Sequence, residues 1–327
     1  MRVRKNKPWD LPDRDATPEG LVVDRRRFLE TIAAAGMGAL FSALPGVATA
    51  GGAEDAVPRD VARRYPARRN PRYSIDRPIS RTEIVETYNN YYEFGDTKDA
   101  PAHAAQKLTT RPWLLEITGL VQKPFSIDRD DLVRRMPIEE RLYRHRCVEA
   151  WSIVVPWTGF PLKALIDLAR PLASAKYLRT VSFKRPSEAP DQVKPWYPFP
   201  YFEGYRLDEA VHELAFAAIG SYGHELPKQN GLPIAIKMPW KYGYKSPKAV
   251  VRFEFLEQEP QTFWHSLAPF EYGFLSNVDP TVPHPRWSQA TEKFYGPAGV
   301  ERRPTLPYNG YGEFVAGLYP GGLGVRG

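Results

Sequence analysis

Proline is the residue that most restricts the folds open to this chain. It fills 33 of 327 positions, about twice its usual share in globular proteins. Because proline lacks a backbone N–H, it interrupts helix interiors and central strands. Tyr, Phe and Trp add 18, 16 and 8 large rings. The composition therefore predicts a loop-rich fold with aromatic-lined clefts rather than a helical bundle.

The regular patterns between the prolines are short and of both kinds. Strands are predicted at residues 111–121, 142–148, 177–183, 233–238 and 250–256. Helices are predicted at residues 128–136, 160–169 and 207–214. Because strands and helices do not alternate regularly, the fold class is predicted to be α+β, with mixed sheets, short helices and long loops.

The first fifty residues have the pattern of an export signal. The twin arginine Arg25-Arg26 precedes an uncharged stretch, residues 31–50, which ends in Ala48-Thr49-Ala50. A basic segment, an apolar core and a small-residue cleavage site make a secretory signal, and the arginine pair indicates the Tat class. A membrane anchor is the alternative, but Pro45 interrupts a core that is rich in Ala and Gly.

A Tat signal peptide over residues 1–50 predicts a periplasmic protein that meets the Tat translocase during export. Tat substrates travel folded, often with a cofactor already inserted, so the signal favours a bound cofactor. Residues 51–80, which are rich in arginine and proline, are predicted to form an extended arm. The formal net charge of +7 is mild and the charges are interspersed, so nucleic acid is not an expected partner.

Cys147 is the only cysteine of the chain. The predicted strand places Tyr143, His145 and Cys147 on one face and Arg144 and Arg146 on the other. A cysteine nucleophile needs an activating base, but two residues along a strand span ~6.6 Å, too far for His145 to serve directly. Two interpretations stay open: a buried thiol that only packs, or a soft ligand to one metal whose other ligands come from a cofactor.

The motifs around Cys147 and along the chain resemble those of a known family. The segment Cys147-Val148-Glu149-Ala150-Trp151-Ser152 resembles the molybdenum-binding segment of sulfite-oxidase-fold enzymes, and within them the periplasmic protein-methionine-sulfoxide reductases. The other matching segments are residues 88–95, 156–162, 203–210, 229–231, 239–245 and 284–292. This resemblance implies a sulfite-oxidase-type molybdopterin-binding fold over residues 81–327.

The resemblance also implies a cofactor, a reaction and partners. Cys147 would be the catalytic residue and the one protein ligand to molybdenum. The enzyme would reduce methionine sulfoxide in oxidised periplasmic proteins, with electrons from a haem-containing membrane subunit, and would be a monomer. The residues that would hold the molybdopterin are Asn89, Tyr92, Glu93, Ser182, Asn230, Ser246, Pro247 and Lys248.

The chain departs from the family pattern at two positions. Residue 182 is Ser where Thr is usual, which keeps the hydroxyl. Residue 235 is Ala where an Arg is expected to reach the pterin phosphate. Lys237 is on the same face of the predicted strand, so it is the candidate to supply the missing charge, as a point charge rather than a fork.

Simpler interpretations exist for the same residues. Asn89-Asn90 and Asn230-Gly231 are also turn signals, and Lys241, Lys245 and Lys248 also fit a solvated face. Two rival functions remain as well. One keeps the cofactor in a sulfite dehydrogenase or a reductase of small S- or N-oxides; the other is an exported, cofactor-free binding protein.

Overall fold

Two mixed β-sheets carry the fold in the computed structural model, which describes residues 56–324. The strands are β1 (Leu114–Gly119), β2 (Phe125–Asp128), β3 (Glu139–Arg146), β4 (Trp151–Pro161), β5 (Tyr177–Ser182), β6 (Phe202–Arg206), β7 (Phe216–Ser221), β8 (His224–Glu225), β9 (Ala235–Lys237), β10 (Val250–Leu256), β11 (Thr291–Gly296) and β12 (Gly299–Pro304).

The helices are short. The α-helices are α1 (Arg59–Ala62), α2 (Thr82–Thr87), α3 (Ala100–Ala104), α4 (Arg129–Arg135), α5 (Leu162–Ala169), α6 (Leu207–Ala210), α7 (Phe263–Leu267) and α8 (Gly312–Val315). Single 3-10 turns lie at Pro71–Tyr73, Ala105–Lys107, Pro190–Val193, Lys228–Asn230, Gly243–Lys245, Pro307–Gly310 and Ala316–Leu318. Over residues 56–324, no helix has the length and apolarity needed to cross a bilayer.

The five-stranded sheet has the order β2-β1-β10-β5-β6. Only β1 and β10 run parallel, with Glu116 opposite Arg252, and the other neighbours are antiparallel. Strand β10 has the predicted bounds. Phe253 and Phe255 are buried and alternate with Arg252 and Glu254, and a register shift between Val250 and Arg252 leaves Val250 buried as well.

The seven-stranded sheet is built around β4, which pairs with β3, β7 and β11. Residues 151–160 of β4 are all buried, as expected for an apolar strand covered on both faces. Strands β8 and β9 extend from β7, and β12 closes the edge beyond β11. One continuous hydrophobic cluster joins the two sheets, with Phe253 and Phe255 from the first and Phe160 and Phe216 from the second.

Two predicted elements are only half as long as expected, and the strand predicted for residues 142–148 ends at Arg146. The helix predicted for residues 207–214 ends at Ala210, because the Nδ1 atom of His212 accepts the backbone N–H of Leu214 at 3.2 Å and replaces a helical bond. The strand predicted for residues 233–238 covers only Ala235–Lys237, since its ladder with β7 has three residue pairs.

The export signal predicted for residues 1–50 lies outside the described residues. In the region predicted as an arm, residues 58–80 follow the seven-stranded sheet. The backbone N–H of Asn70 donates to the carbonyl of Glu140 at 2.8 Å, and the Tyr73 ring lies edge-on to Tyr143 at 6.0 Å.

The solvated-face interpretation of the lysines is wrong for two of them. Lys241 and Lys245 are 1% and 0% exposed. The Nζ atom of Lys245 donates to Glu203 at 2.7 Å, and that of Lys241 donates to Glu209. Buried ammonium groups are tolerated when carboxylates face them, so these lysines belong to the interior.

Candidate functional site

Cys147 lies in the turn of the β3–β4 hairpin. Its N–H donates to the carbonyl of Trp151 at 2.9 Å, and its own carbonyl accepts the N–H of Ala150 at 3.1 Å. Ala150 has a φ of 63°, a left-handed conformation that is uncommon outside glycine. The turn is also anchored from a distant segment, because Trp287 and Gln289 both donate to the carbonyl of Val148 at 2.8 Å.

A cavity of about 400 Å³ opens beside this turn, within the ~300–1,000 Å³ typical of small-molecule and cofactor sites. Most of the predicted site residues line it. These are Asn89, Tyr92, Glu93, Cys147, Asn230, Ser246, Pro247 and Lys248. Residues that are far apart in the sequence are therefore collected around the thiol.

The Cys147 thiol is 6% exposed. Burial, reinforced by the nearby Glu149 carboxylate, raises the pKa of Cys147 to about 12. Without a metal the thiol therefore stays protonated near neutral pH, which argues against a free thiolate nucleophile. Since metal ligation needs the thiolate, a metal bound here would displace that proton.

His145 lines the same cavity as Cys147, which agrees with the shared face predicted for them. Burial, together with the charges of Lys237 and Lys248, lowers the pKa of His145 to about 3. Arg144 and Arg146 point elsewhere and bind Asp76 and Glu292. The imidazole at the cavity wall is therefore neutral at physiological pH.

Glu149 organises the polar side of the thiol. Its Oε2 atom accepts hydrogen bonds from Lys98 at 2.5 Å, Trp151 at 3.0 Å and Asn90 at 3.1 Å. Burial opposes ionisation, but these donors hold the pKa of Glu149 below its usual value. The Nδ2 atom of Asn90 also lies 3.6 Å from the Cys147 sulfur. Sequence reasoning missed this network, although Asn90 and Glu149 stand inside the matching motifs.

Two asparagines present unused polar atoms to the cavity. The Oδ1 atom of Asn89 accepts from Lys248 at 3.2 Å, while its buried Nδ2 atom has no hydrogen-bond partner within residues 56–324. Asn230 is the reverse: its Nδ2 donates to the carbonyl of Val85 at 3.1 Å, while its Oδ1 has no partner in the same described part of the chain. Buried polar groups are rarely left unpaired. One free donor and one free acceptor therefore indicate a polar ligand.

Glu93 and Tyr92 follow Asn89 along the cavity wall. Glu93 is 3% exposed, and burial raises its pKa to about 7, so its carboxyl is poised between a hydrogen-bond donor and an acceptor near neutral pH. The Tyr92 ring lies 5.3 Å from Trp264 and 5.7 Å from Tyr197.

Lys248 has all its donors engaged by the protein. Its ammonium donates to Asn89 Oδ1 at 3.2 Å, to the Asn90 carbonyl at 2.9 Å and to the Gln229 carbonyl at 2.8 Å. Ser182 does not line the cavity; its hydroxyl donates to the Lys248 carbonyl at 2.7 Å. Ser182 therefore supports the cavity wall from behind.

Lys237 lines the cavity and is 5% exposed. Its Nζ atom lies 4.0 Å from the ring centre of Trp157. Within residues 56–324 no carboxylate pairs with it, and burial lowers its pKa to about 7. Ala235, two residues earlier, is fully buried.

The low pKa of Lys237 leads us to expect that the folding stability of the cofactor-free protein depends on pH. Its folded pKa of about 7 lies below the ordinary lysine value of 10.5, so between these pH values the unfolded chain binds a proton that the folded chain has lost. Stability then rises with pH across this window. In Lys237→Met this contribution disappears. We expect the variant to be more stable than wild type at pH 7, with a difference that shrinks towards pH 10, in denaturant titrations at several pH values. A constant difference would contradict the prediction.

Part of the cavity wall is aromatic, with Trp264, Tyr272 and Trp287 among its lining residues. The Trp264 ring lies 5.3 Å from Tyr272, and Trp287 stacks on His284 at 3.8 Å. Composition predicted aromatic-lined clefts but did not indicate which rings meet. In the described part of the chain, no three His, Cys, Asp or Glu side chains come close enough to hold a metal ion together.

The chain is similar to known proteins over nearly its whole length. The family model for the oxidoreductase molybdopterin binding domain matches residues 102–264. The protein-methionine-sulfoxide reductase catalytic subunit MsrP of Burkholderia mallei is 45% identical over 314 residues, which cover 95% of this chain and 94% of that protein.

A solved structure is also similar, at a lower level. The sulfane dehydrogenase SoxCD of Paracoccus pantotrophus matches with a TM-score of 0.41 and 16% identity, over 67% of this chain and 57% of that chain. A likeness at this level carries no argument about the present chain.

Proposed function

Because the chain belongs to the family of protein-methionine-sulfoxide reductase catalytic subunits, we propose that the cavity beside Cys147 is where it reduces methionine sulfoxide in proteins. The chain is an oxidoreductase of the molybdopterin-dependent class, and its cofactor is molybdenum–molybdopterin. The sulfite-oxidase-type fold predicted from the sequence is thereby confirmed. The observation that carries the proposal is a buried, single thiol at the wall of a cavity with unused polar atoms.

The residues of the cavity fit this cofactor. A pterin edge carries both hydrogen-bond donors and acceptors, and the free Nδ2 of Asn89 and the free Oδ1 of Asn230 supply one of each. Cys147 would give the metal a soft thiolate. Tyr92, Glu93 and residues 246–248 would complete the binding wall, with Ser182 fixing the Lys248 carbonyl.

The reaction balances as a two-electron reduction: a sulfoxide, two electrons and two protons give a thioether and water. When bound, the cofactor supplies the exchange of the oxygen atom and the two electrons. The protein positions the cofactor and the substrate. Asn90 and Glu149 hold the neighbourhood of the thiol through Lys98 and Trp151, and the aromatic rings of the cavity wall would offer apolar contacts to a methionine side chain.

We also propose where the enzyme works and with which partner. The twin-arginine pattern of residues 25–26 supports export through the Tat translocase to the periplasm. The relative is named a catalytic subunit, which supports a separate electron donor. The proposed donor is a haem-containing membrane subunit, and the proposed substrates are oxidised periplasmic proteins.

The proposal is tested on protein matured in a host that makes the pterin cofactor. With a reduced viologen as electron donor, we expect oxidised, methionine-rich protein to consume two electrons for each methionine restored, counted by mass spectrometry. Sulfite with an electron acceptor should give no turnover. Faster reaction with sulfite, or with small S- or N-oxides alone, would transfer the proposal to one of the rival functions.

A further inference from the structure

Among the buried lysines of residues 56–324, Lys237 is the one without an acidic partner. Lys241 and Lys245 each face a glutamate, whereas Lys237 contacts the face of Trp157 and no acid in residues 56–324. Stacking on an aromatic ring holds an ammonium in place, but it does not replace the lost water. A buried charge without a counter-ion is costly, so the arrangement suits an anion that arrives with a ligand.

The other cationic side chains of the cavity are engaged by protein groups, so Lys237 is the candidate to bind the anion. Lys248 uses its three N–H donors on protein oxygens. Glu149 is engaged by Lys98, and Arg286 by Glu271. Among the described lysines that line the cavity, Lys237 is the one with unused donors.

Lys237 and Cys147 reach the cavity from different elements of the fold. It lies on β9, opposite Phe216 of β7, while Cys147 lies in the β3–β4 turn. Lys237, Lys248 and Cys147 all line the same cavity. Residue 235, on the same face of β9, is an alanine whose side chain bears no charge.

We infer that the Lys237 ammonium, on the wall of the cavity that Cys147 also lines, binds the terminal phosphate of the molybdopterin. The inference rests on the proposed cofactor site and adds a residue to it. Lysine binds phosphate as a point charge. The Trp157 ring keeps that charge at the cavity wall before the ligand binds.

The test compares Lys237→Met, which keeps the length of the side chain, with Lys237→Arg, which keeps the charge. Cofactor-loaded proteins are dialysed at several salt concentrations, and molybdenum per chain is followed by elemental mass spectrometry. We expect Lys237→Met to lose molybdenum roughly tenfold to a hundredfold faster, the loss expected for one charge-assisted hydrogen bond. Lys237→Arg should stay near wild type.

A second measurement separates phosphate binding from a structural role. Without cofactor, Lys237→Met should melt no lower than wild type at pH 7, because the contact with Trp157 is the one that is lost and a buried charge without an acidic partner in residues 56–324 is removed with it. Lys163→Met, on the exposed face of α5, is the control and should change neither property. Equal molybdenum retention in Lys237→Met and wild type would overturn the inference while leaving the proposed function intact. Wild-type protein that takes up no molybdenum would overturn both.

Discussion

Replacing Cys147 with serine should lower reductase activity by at least about a thousandfold, on the scale seen when an essential member of a catalytic unit is removed. A hydroxyl has the size of a thiol but is a hard, weakly acidic group, so it is a poor ligand for a soft metal. The substitution should spare the fold, because the sulfur makes only long contacts, at 3.6 Å to Asn90 and 3.7 Å to Glu149.

The experiment measures turnover with a reduced viologen, molybdenum per chain and melting temperature for Cys147→Ser and wild type together. Loss of activity with a melting temperature within about two degrees of wild type in the cofactor-free form is the expected pair of results. Full activity in the variant would remove the claim that Cys147 is the metal ligand. A large drop in melting temperature would instead assign the thiol a packing role.

Replacing Glu292 with glutamine should strongly lower the free energy of unfolding of the protein. Glu292 is 1% exposed, and it accepts hydrogen bonds from Arg77 and Arg146, the latter at 2.9 Å, and from Ser152 at 2.9 Å. Removing its charge leaves two buried guanidinium groups uncompensated. Breaking a buried ion pair in this way costs about 3–5 kcal/mol.

Denaturant unfolding of the cofactor-free protein, followed by circular dichroism, measures this loss. The matched control is Glu301→Gln on the adjacent strand β12, where the glutamate pairs with Arg303 at the surface. That change should cost less than about 1 kcal/mol, because exposed ion pairs contribute little. A loss below 1 kcal/mol in Glu292→Gln would show that the network does not hold the seven-stranded sheet.

The Glu292 network also connects stability to the site. Arg146 donates to the carbonyl of Cys147 as well as to Glu292, Gln289 and Thr305. The turn that presents the thiol is therefore fixed by side chains from β11 and from the loop before it. We expect partly folded Glu292 variants to retain cofactor less well than wild type.

Sequence patterns predicted the elements whose residues alternate cleanly. The strand at residues 250–256 has its predicted bounds, and the helix predicted from residue 128 begins at Arg129, with the Asp128 side chain accepting from the Asp130 N–H. Strand periodicity also predicted that His145 and Cys147 lie on one side, and both line the cavity, although the strand ends at Arg146 and Cys147 lies in the turn.

Other elements were hidden by local chemistry. Strand β4 contains Pro156 and Gly159, two residues that normally argue against a central strand. Its position depends on long-range pairing with β3 and β7, which a short sequence window does not contain. The β11–β12 hairpin escaped for the opposite reason: β12 is mostly exposed and charged, so it lacks an apolar face.

The site residues, like the strands and helices, were predicted only in part from the sequence. The resemblance implied nine site residues, and eight of the nine line one cavity. The sequence did not reveal that the hydroxyl of Ser182 is spent on a backbone carbonyl, or that Lys248 is saturated while Lys237 is not. Each of these depends on partners more than fifteen residues away in the chain.

The cavity walls run from Val85 to Trp287 and draw on many separate chain segments. This dispersal has a consequence for engineering by recombination. A chimera of two relatives that exchanges one of these segments combines walls from different parents, and so mismatches the cofactor on at least one side. Crossovers should instead fall in connections remote from the cavity, such as the loop between α5 and β5 with its exposed Leu172. The binding site therefore depends on the whole fold and cannot be transferred to another protein by grafting a single loop.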